Sequence, residues 1–233
     1  MATVTHYLSN STSGNTAAYT TASFTPTVND LILVFTVASG EGNTGTLSDS
    51  GGGSYTVVTT ARYNSSTATI TAFVANALVT TSAGITVTTT YGADAATGQI
   101  AFIAGISGMT LTGASAIKQS TVLQNQAAST PTPVFAANVS SSNTTIGVVG
   151  NATNPATLTP PASWTEQTDT GYTTPATGGE YVSRDNGFNG TTVTWASTSA
   201  SVYGVIMLEL DTSTGSPPGA GWAAGRSLAL LGV

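Results

Sequence analysis

The sequence predicts an all-β protein, a two-sheet antiparallel β-sandwich of jelly-roll-like type. Three observations predict it. Apolar residues recur with a period of two: Ala68-Thr69-Ile70-Thr71-Ala72-Phe73-Val74 and Gly84-Ile85-Thr86-Val87-Thr88-Thr89-Thr90-Tyr91 alternate apolar with small polar side chains, as a half-buried pleated surface requires. Turn formers punctuate these runs at Gly40-Glu41-Gly42-Asn43, Gly51-Gly52-Gly53, Asn64-Ser65-Ser66, Thr159-Pro160-Pro161 and Asp185-Asn186-Gly187. No window carries a capped helix of ordinary length.

In chain order, strands are expected around His6, at Leu31–Phe35, at 46–47 and 54–56 on either side of the triple glycine, at 68–74, 84–91 and 100–104, and then at Ala116–Leu123. The second half echoes the first. Leu31–Phe35 aligns with Thr145–Val149, and Thr46-Leu47 with Thr157-Leu158. Ser54-Tyr55-Thr56 aligns with Ser163-Trp164-Thr165, and Phe73–Asn76 with Tyr181–Arg184. Ile85–Thr88 aligns with Thr192–Trp195, and Ile100–Ala104 with Val205–Glu209. Anchors in the same order indicate an internal repeat over 20–108 and 131–210. Residues 107–130 lack a Gly/Pro-rich linker, so one sandwich over 1–212 is expected rather than two. Residues 213–233 read as a linker, Thr212–Gly219, followed by an apolar segment. That segment folds back on its own sandwich, docks on a neighbouring subunit through Trp222, Leu228, Leu230, Leu231 and Val233, or stays an unstructured tail.

Composition narrows the function. Hydrophobic residues make up 40% of the 233-residue chain, enough for a core, while charged residues are only 6%. The surface must therefore be dressed by Thr, Ser, Asn and Gly. The net charge is −6, and Arg62, Lys118, Arg184 and Arg226 are its only cations. Four scattered cations make no phosphate-binding stripe, so nucleic acid is not an expected partner. No apolar run approaches the ~18 residues of a membrane span, so no membrane association is expected. The residues Met1–His6 lack the basic and apolar regions of a signal peptide. With no cysteine and one histidine, a zinc or copper site is not expected, nor is a cofactor.

Candidate chemistry is sparse. His6 would have to serve any Ser-His mechanism, and no nucleophile motif accompanies it. Asp49 and Asp185 sit in turn-forming contexts rather than a dense calcium loop. Glu166, Asp169, Glu180 and Asp185 are the carboxylates that could converge in one half as a glycan-cleaving pair. Glu180 and Arg184 could equally form an ion pair. Gly51-Gly52-Gly53 lacks the lysine and helix of a phosphate loop. Trp164 and Trp195 suit a core. Tyr172 and Phe188, in glycine-containing segments, are the candidates for an exposed ligand-binding surface.

The series Val28–Val34, then Leu47-Ser48-Asp49-Ser50-Gly51-Gly52-Gly53-Ser54-Tyr55-Thr56, then Thr71–Asn76, then Ile85–Thr88, resembles a β-sandwich pattern of tailed-phage virion accessory proteins and bacterial surface proteins. It spans about 20–108, with a weaker echo over 131–210, and departs from the pattern in its longer glycine run. The resemblance implies a non-enzymatic virion protein of the capsid-decoration, head-fibre or tail-associated kind. Such a protein would be a homo-oligomer assembled in the host cytoplasm, partnered by other capsid or tail proteins. It transfers no catalytic residues. The alternative is an extracellular or cell-surface protein: a carbohydrate-binding or adhesin module with a glycan partner, or a subunit of a bacterial filament.

Overall fold

The structure is a computed structural model that describes residues 1–40, 44–91, 96–128, 130–153, 158–197 and 201–212. The first half supplies β1 (Thr3–Thr16), β2 (Ala18–Thr20), β3 (Leu31–Ser39), β4 (Thr46–Asp49), β5 (Tyr55–Tyr63), β6 (Ala68–Ala75), β7 (Val87–Thr90) and β8 (Ala96–Ser107). A single 3-10 turn, Gly113–Ala116, leads to the second half. There follow β9 (Ile117–Ala128), β10 (Thr145–Asn151), β11 (Leu158–Thr159), β12 (Thr165–Thr173), β13 (Ala176–Arg184), β14 (Ala196–Ser197) and β15 (Ser201–Leu210).

Two five-stranded antiparallel sheets form the sandwich, in the orders β1-β8-β3-β6-β5 and β9-β15-β10-β13-β12. Chain position for chain position, these are the same order. Each half builds one whole five-stranded sheet, and in the first half the chain alternates between that sheet and the small sheet β2-β7-β4, as the strands of a jelly roll do. The sheets stack with β5 against β9 and β15, and β1 against β12, which relates the halves by an approximate two-fold axis. The central core lies between them. The Tyr181 ring sits 6.1 Å from Phe35 and 5.9 Å from Phe102 of the opposite sheet.

Each sheet is also covered on its outer face. Over the first lies a small sheet, β2-β7-β4, whose Tyr19 and Tyr91 pack on Ala38 and Ala96. Over the second lies the β11-β14 pair, with Phe135, Val139, Trp164, Val193 and Trp195. Every residue of β3 and β6 is therefore buried. That explains why Leu31–Phe35 reads as an unbroken apolar run rather than an alternation.

The edge strands fix how the halves correspond. β5 bulges between Val57 and Thr59, and β12 bulges between Glu166 and Thr168. Val57 pairs with Phe73, and Glu166 pairs with Val182. Phe73 therefore corresponds to Val182, one residue beyond the Tyr181 that sequence similarity suggests. Face direction agrees. Phe35 points at Tyr181, so Val34 and its partners Phe73 and Ile103 point outward. Tyr181 points inward, so Val182 and its partner Gly147 point outward. By the same register Val34 corresponds to Gly147 and Ile103 to Met207.

Candidate functional site

Most of the polar residues singled out in the sequence are spent on architecture. Asp49 builds the triple-glycine loop. Its Oδ1 accepts the backbone N–H groups of Gly51 (2.8 Å) and Gly53 (2.9 Å), and its Oδ2 accepts the Tyr55 hydroxyl at 2.7 Å. Gly52 has φ +80°, and a Cβ on Gly53 would sit 2.3 Å from Asp49 Oδ2. Asp185 accepts the Val4 backbone N–H at 3.0 Å, tying the second half to β1. Arg184 donates to the carbonyls of Asn186 (3.1 Å) and Gly187 (2.8 Å). Glu209 is a buried node that accepts Gln119 Nε2 (2.6 Å), Asn143 Nδ2 (2.6 Å) and the Ser140 N–H (2.9 Å).

Three of the four candidate carboxylates do converge. Asp169 pairs with Glu180 across β12 and β13, and Glu166 with Val182, so all three face outward from the second sheet. Glu166 and Asp169 are exposed, while Glu180 is fully buried. Glu180 Oε1 accepts the Trp195 indole N–H at 2.9 Å, and its Oε2 has no hydrogen-bond partner. Burial, with repulsion from Glu166 and Asp169, pushes the Glu180 carboxyl up to about 7 against the Trp195 bond. Trp195, itself 0% exposed, packs in the layer over this sheet. His6 lies between the sheets, its ring 5.8 Å from Tyr181, and burial lowers its pKa. Among the described residues no cluster of three His, Asp or Glu side chains suits a metal ion.

Tyr172 and Phe188 are not the exposed pair that the sequence suggests. Phe188 is half-buried, with its ring 5.5 Å from Trp164 and the Arg184 guanidinium 5.9 Å from its centroid. Tyr172 lies in β12 and is 8% exposed, because its side chain reaches across to the first sheet. There its hydroxyl meets Ser39 Oγ at 2.5 Å. A Cβ on Gly98 of β8 would fall 2.5 Å from Tyr172 Cζ, so Gly98 leaves the room this ring occupies. Trp222, Leu228, Leu230, Leu231 and Val233 lie outside the described residues.

Nothing in the sequence hints at a cavity that opens beside this contact, at the end of β3 and β10. Its volume is about 150 Å³, and both halves line it. Ser39, Tyr63, Asn151 and Thr177 form a buried floor, and Asn64, Thr67, Pro175 and Ala176 an exposed mouth. Tyr63 is the counterpart of Tyr172: they pair with Ala68 and Thr177 at the closing ends of equivalent hairpins. Tyr63 too crosses to the opposite sheet, where Gly150 and Gly204 make way for it. A Cβ on either would come within 3.1 Å of its hydroxyl or 2.7 Å of its ring. The four floor residues are scattered from 39 to 177, so only folding brings them together.

No protein-family model matches this chain, and neither a curated protein nor a solved structure does.

Proposed function

We propose that this chain is a non-enzymatic structural protein of a tailed-phage virion, a spacer or cement on the capsid or tail surface. The observation that carries this reading is the way the chain leaves the sandwich. Leu210 N–H donates to Thr144 O at 2.9 Å and Asp211 N–H to Ala116 O at 2.8 Å. Thr212 Oγ1 donates to Asn143 Oδ1 at 2.8 Å. The strand is thus pinned up to the residue where the Ser/Pro/Gly linker begins, and the linker carries an apolar segment ending in Leu230-Leu231-Gly232-Val233. A stiff body with a tethered apolar strip at a fixed exit point suits docking on a like subunit or a particle surface. The resemblance of residues 20–108 to virion accessory sandwiches, and the charge-poor, Thr/Ser-rich composition, support the same reading.

Light scattering on the full chain and on a chain ending at Thr214 tests it. The full chain forms a homo-oligomer and the shortened chain is a monomer. Monomers in both samples, or the same oligomer in both, overturn the reading.

A further inference from the structure

The layer over the second sheet closes on a carboxyl group that has two carboxylates for neighbours. Glu180 is 0% exposed; its Oε1 accepts the Trp195 indole N–H, and its Oε2 has no hydrogen-bond partner. Asp169 is its direct partner on β12, and Glu166 lies one step along the same face. β10 presents the uncharged Val149 and Asn151 beside it, and the layer presents Val193 and Trp195. Arg184 of β13 shares this face but is turned to the carbonyls of Asn186 and Gly187 and lies over Phe188. Lys118 pairs with Asp211, and Arg62 belongs to β5 of the first sheet. Residues 154–157 and 198–200, which adjoin β11 and β14 in sequence, include no ionisable side chain. Among the described residues, then, no cation is directed at Glu180.

The layer itself is lightly built. β11 and β14 are two residues each and pair with one another, not with the sheet beneath. Residues 191–195 add bonds to the 131–135 segment: Phe135 N–H to Thr191 O, Val193 N–H to Pro133 O and Trp195 N–H to Pro131 O. Apolar packing and side-chain bonds hold the layer down, among them Thr121 Oγ1 to Val134 O at 2.8 Å and the Trp195 indole to Glu180. Such a segment opens at a lower free energy than the sheet it covers.

A buried neutral carboxyl costs far less than a buried carboxylate with no cation. Ionised Glu180 therefore favours any state in which water reaches it. Lifting the Trp195 segment is the smallest movement that admits water. The proton affinity agrees with the geometry, since burial and the two carboxylates raise it to about 7 from an ordinary 4.5.

We propose that residues 191–197, together with β11, form a pH-sensitive cover on the second sheet, closed while Glu180 is protonated and lifted when Glu180 ionises. The inference concerns the sandwich alone and does not rest on the assembly reading. Protonation stabilises the closed cover fully below about pH 4.5, and this contribution is lost as pH rises to about 7. Opening grows by up to about 300-fold across that window and levels off above it, because the two proton affinities differ by about 2.5 powers of ten.

Hydrogen exchange of the Trp195 indole N–H, followed by NMR on the full chain from pH 4.5 to 8, tests this. Each rate is divided by that of a free indole at the same pH. Protection falls by up to about 300-fold as pH rises to about 7 and is flat above. In Glu180→Gln the indole keeps an acceptor, and its protection does not change with pH. Asp169→Asn, exposed and outside the cover, removes one repelling charge, so the fall levels off at a lower pH. At every pH the indole is protected at least about tenfold less than the Leu33 and Phe35 amides of β3. Urea below the unfolding transition lowers their protection steeply and that of the indole little, because the cover exposes little surface. The proposal is overturned if the parent's indole protection varies with pH no more than that of Glu180→Gln. It is equally overturned if the indole and the β3 amides share one protection and one urea slope, since water would then reach Glu180 only when the whole sandwich unfolds.

Discussion

Ser39 of the first sheet and Tyr172 of the second share a 2.5 Å hydrogen bond, 133 residues apart in sequence, at the seam between the halves. Removing either hydroxyl breaks this bond, while Ser39 Oγ keeps Thr97 Oγ1 at 3.3 Å and the Tyr172 hydroxyl keeps Thr177, so Ser39→Ala and Tyr172→Phe should each cost about 1 kcal/mol. The double variant should cost less than their sum by at least about 0.5 kcal/mol, since both single changes break the same bond. Urea unfolding of the four proteins gives the coupling, and strict additivity would show that the contact does not hold the seam.

Glu180 makes stability depend on pH in a predictable direction. Its carboxyl is raised to about 7 in the fold from an ordinary 4.5. A raised pKa stabilises the fold fully below the unfolded value, and that contribution fades as pH climbs through the folded one. Glu180→Gln keeps an acceptor for the Trp195 indole but carries no charge. It should match the parent at pH 4 and exceed it at pH 8 by up to about 3 kcal/mol, since each tenfold change in proton affinity is worth ~1.4 kcal/mol. Denaturant unfolding at the two pH values checks this, and an equal difference at both would contradict it.

Asp49 closes its loop with two backbone bonds and one tyrosine bond. Asp49→Ala should lose about 1–3 kcal/mol and speed hydrogen exchange at the Gly51 and Gly53 amides. Asp49→Asn, which retains Oδ1 as acceptor for both amides, should leave their exchange near the parental rate. Loop exchange unchanged in the alanine variant would show that the glycine run holds its shape without the carboxylate.

Gly147 is required by what lies over it. An added Cβ would sit 2.1 Å from Met207 Sδ and 2.7 Å from the Ile206 carbonyl oxygen. In the first half the corresponding residues are Val34 and Ile103, so the long Met207 side chain occupies room that a valine fills there. Gly147→Ala should cost about 1–3 kcal/mol by overpacking. Gly14→Ala, with nothing within 4 Å of the new methyl, is the control and should change stability by less than about 0.5 kcal/mol. Thermal unfolding of the two variants side by side checks the difference.

Much of the site's chemistry was out of reach of the sequence for a definite reason. The hairpin clasp was legible, because Asp49, Gly51, Gly53 and Tyr55 are neighbours in the chain and act locally. The convergence of Glu166, Asp169 and Glu180 could be suspected from two adjoining strands. Tyr172 was misplaced as an exposed residue, because the glycine beside it suggested a loop while β12 and the space over Gly98 draw it inward. Tyr63 and Asn151 carried no local signal at all.

By itself the sequence determined that the chain is β throughout, where most of its turns fall, and that its two halves share an order of elements. These follow from side-chain alternation and turn chemistry, which act over a few residues. Tertiary structure alone decided that each half makes a whole sheet, and which side of each strand faces the other sheet. The reason is that both sheets are covered on both faces. Their central strands are buried along their whole length, with small or apolar side chains on both faces, so the alternation that would reveal direction is weak there, and a correspondence shifted by one residue reads as well as the true one. Only the paired bulges of β5 and β12, and the Tyr181 ring between Phe35 and Phe102, fix the register.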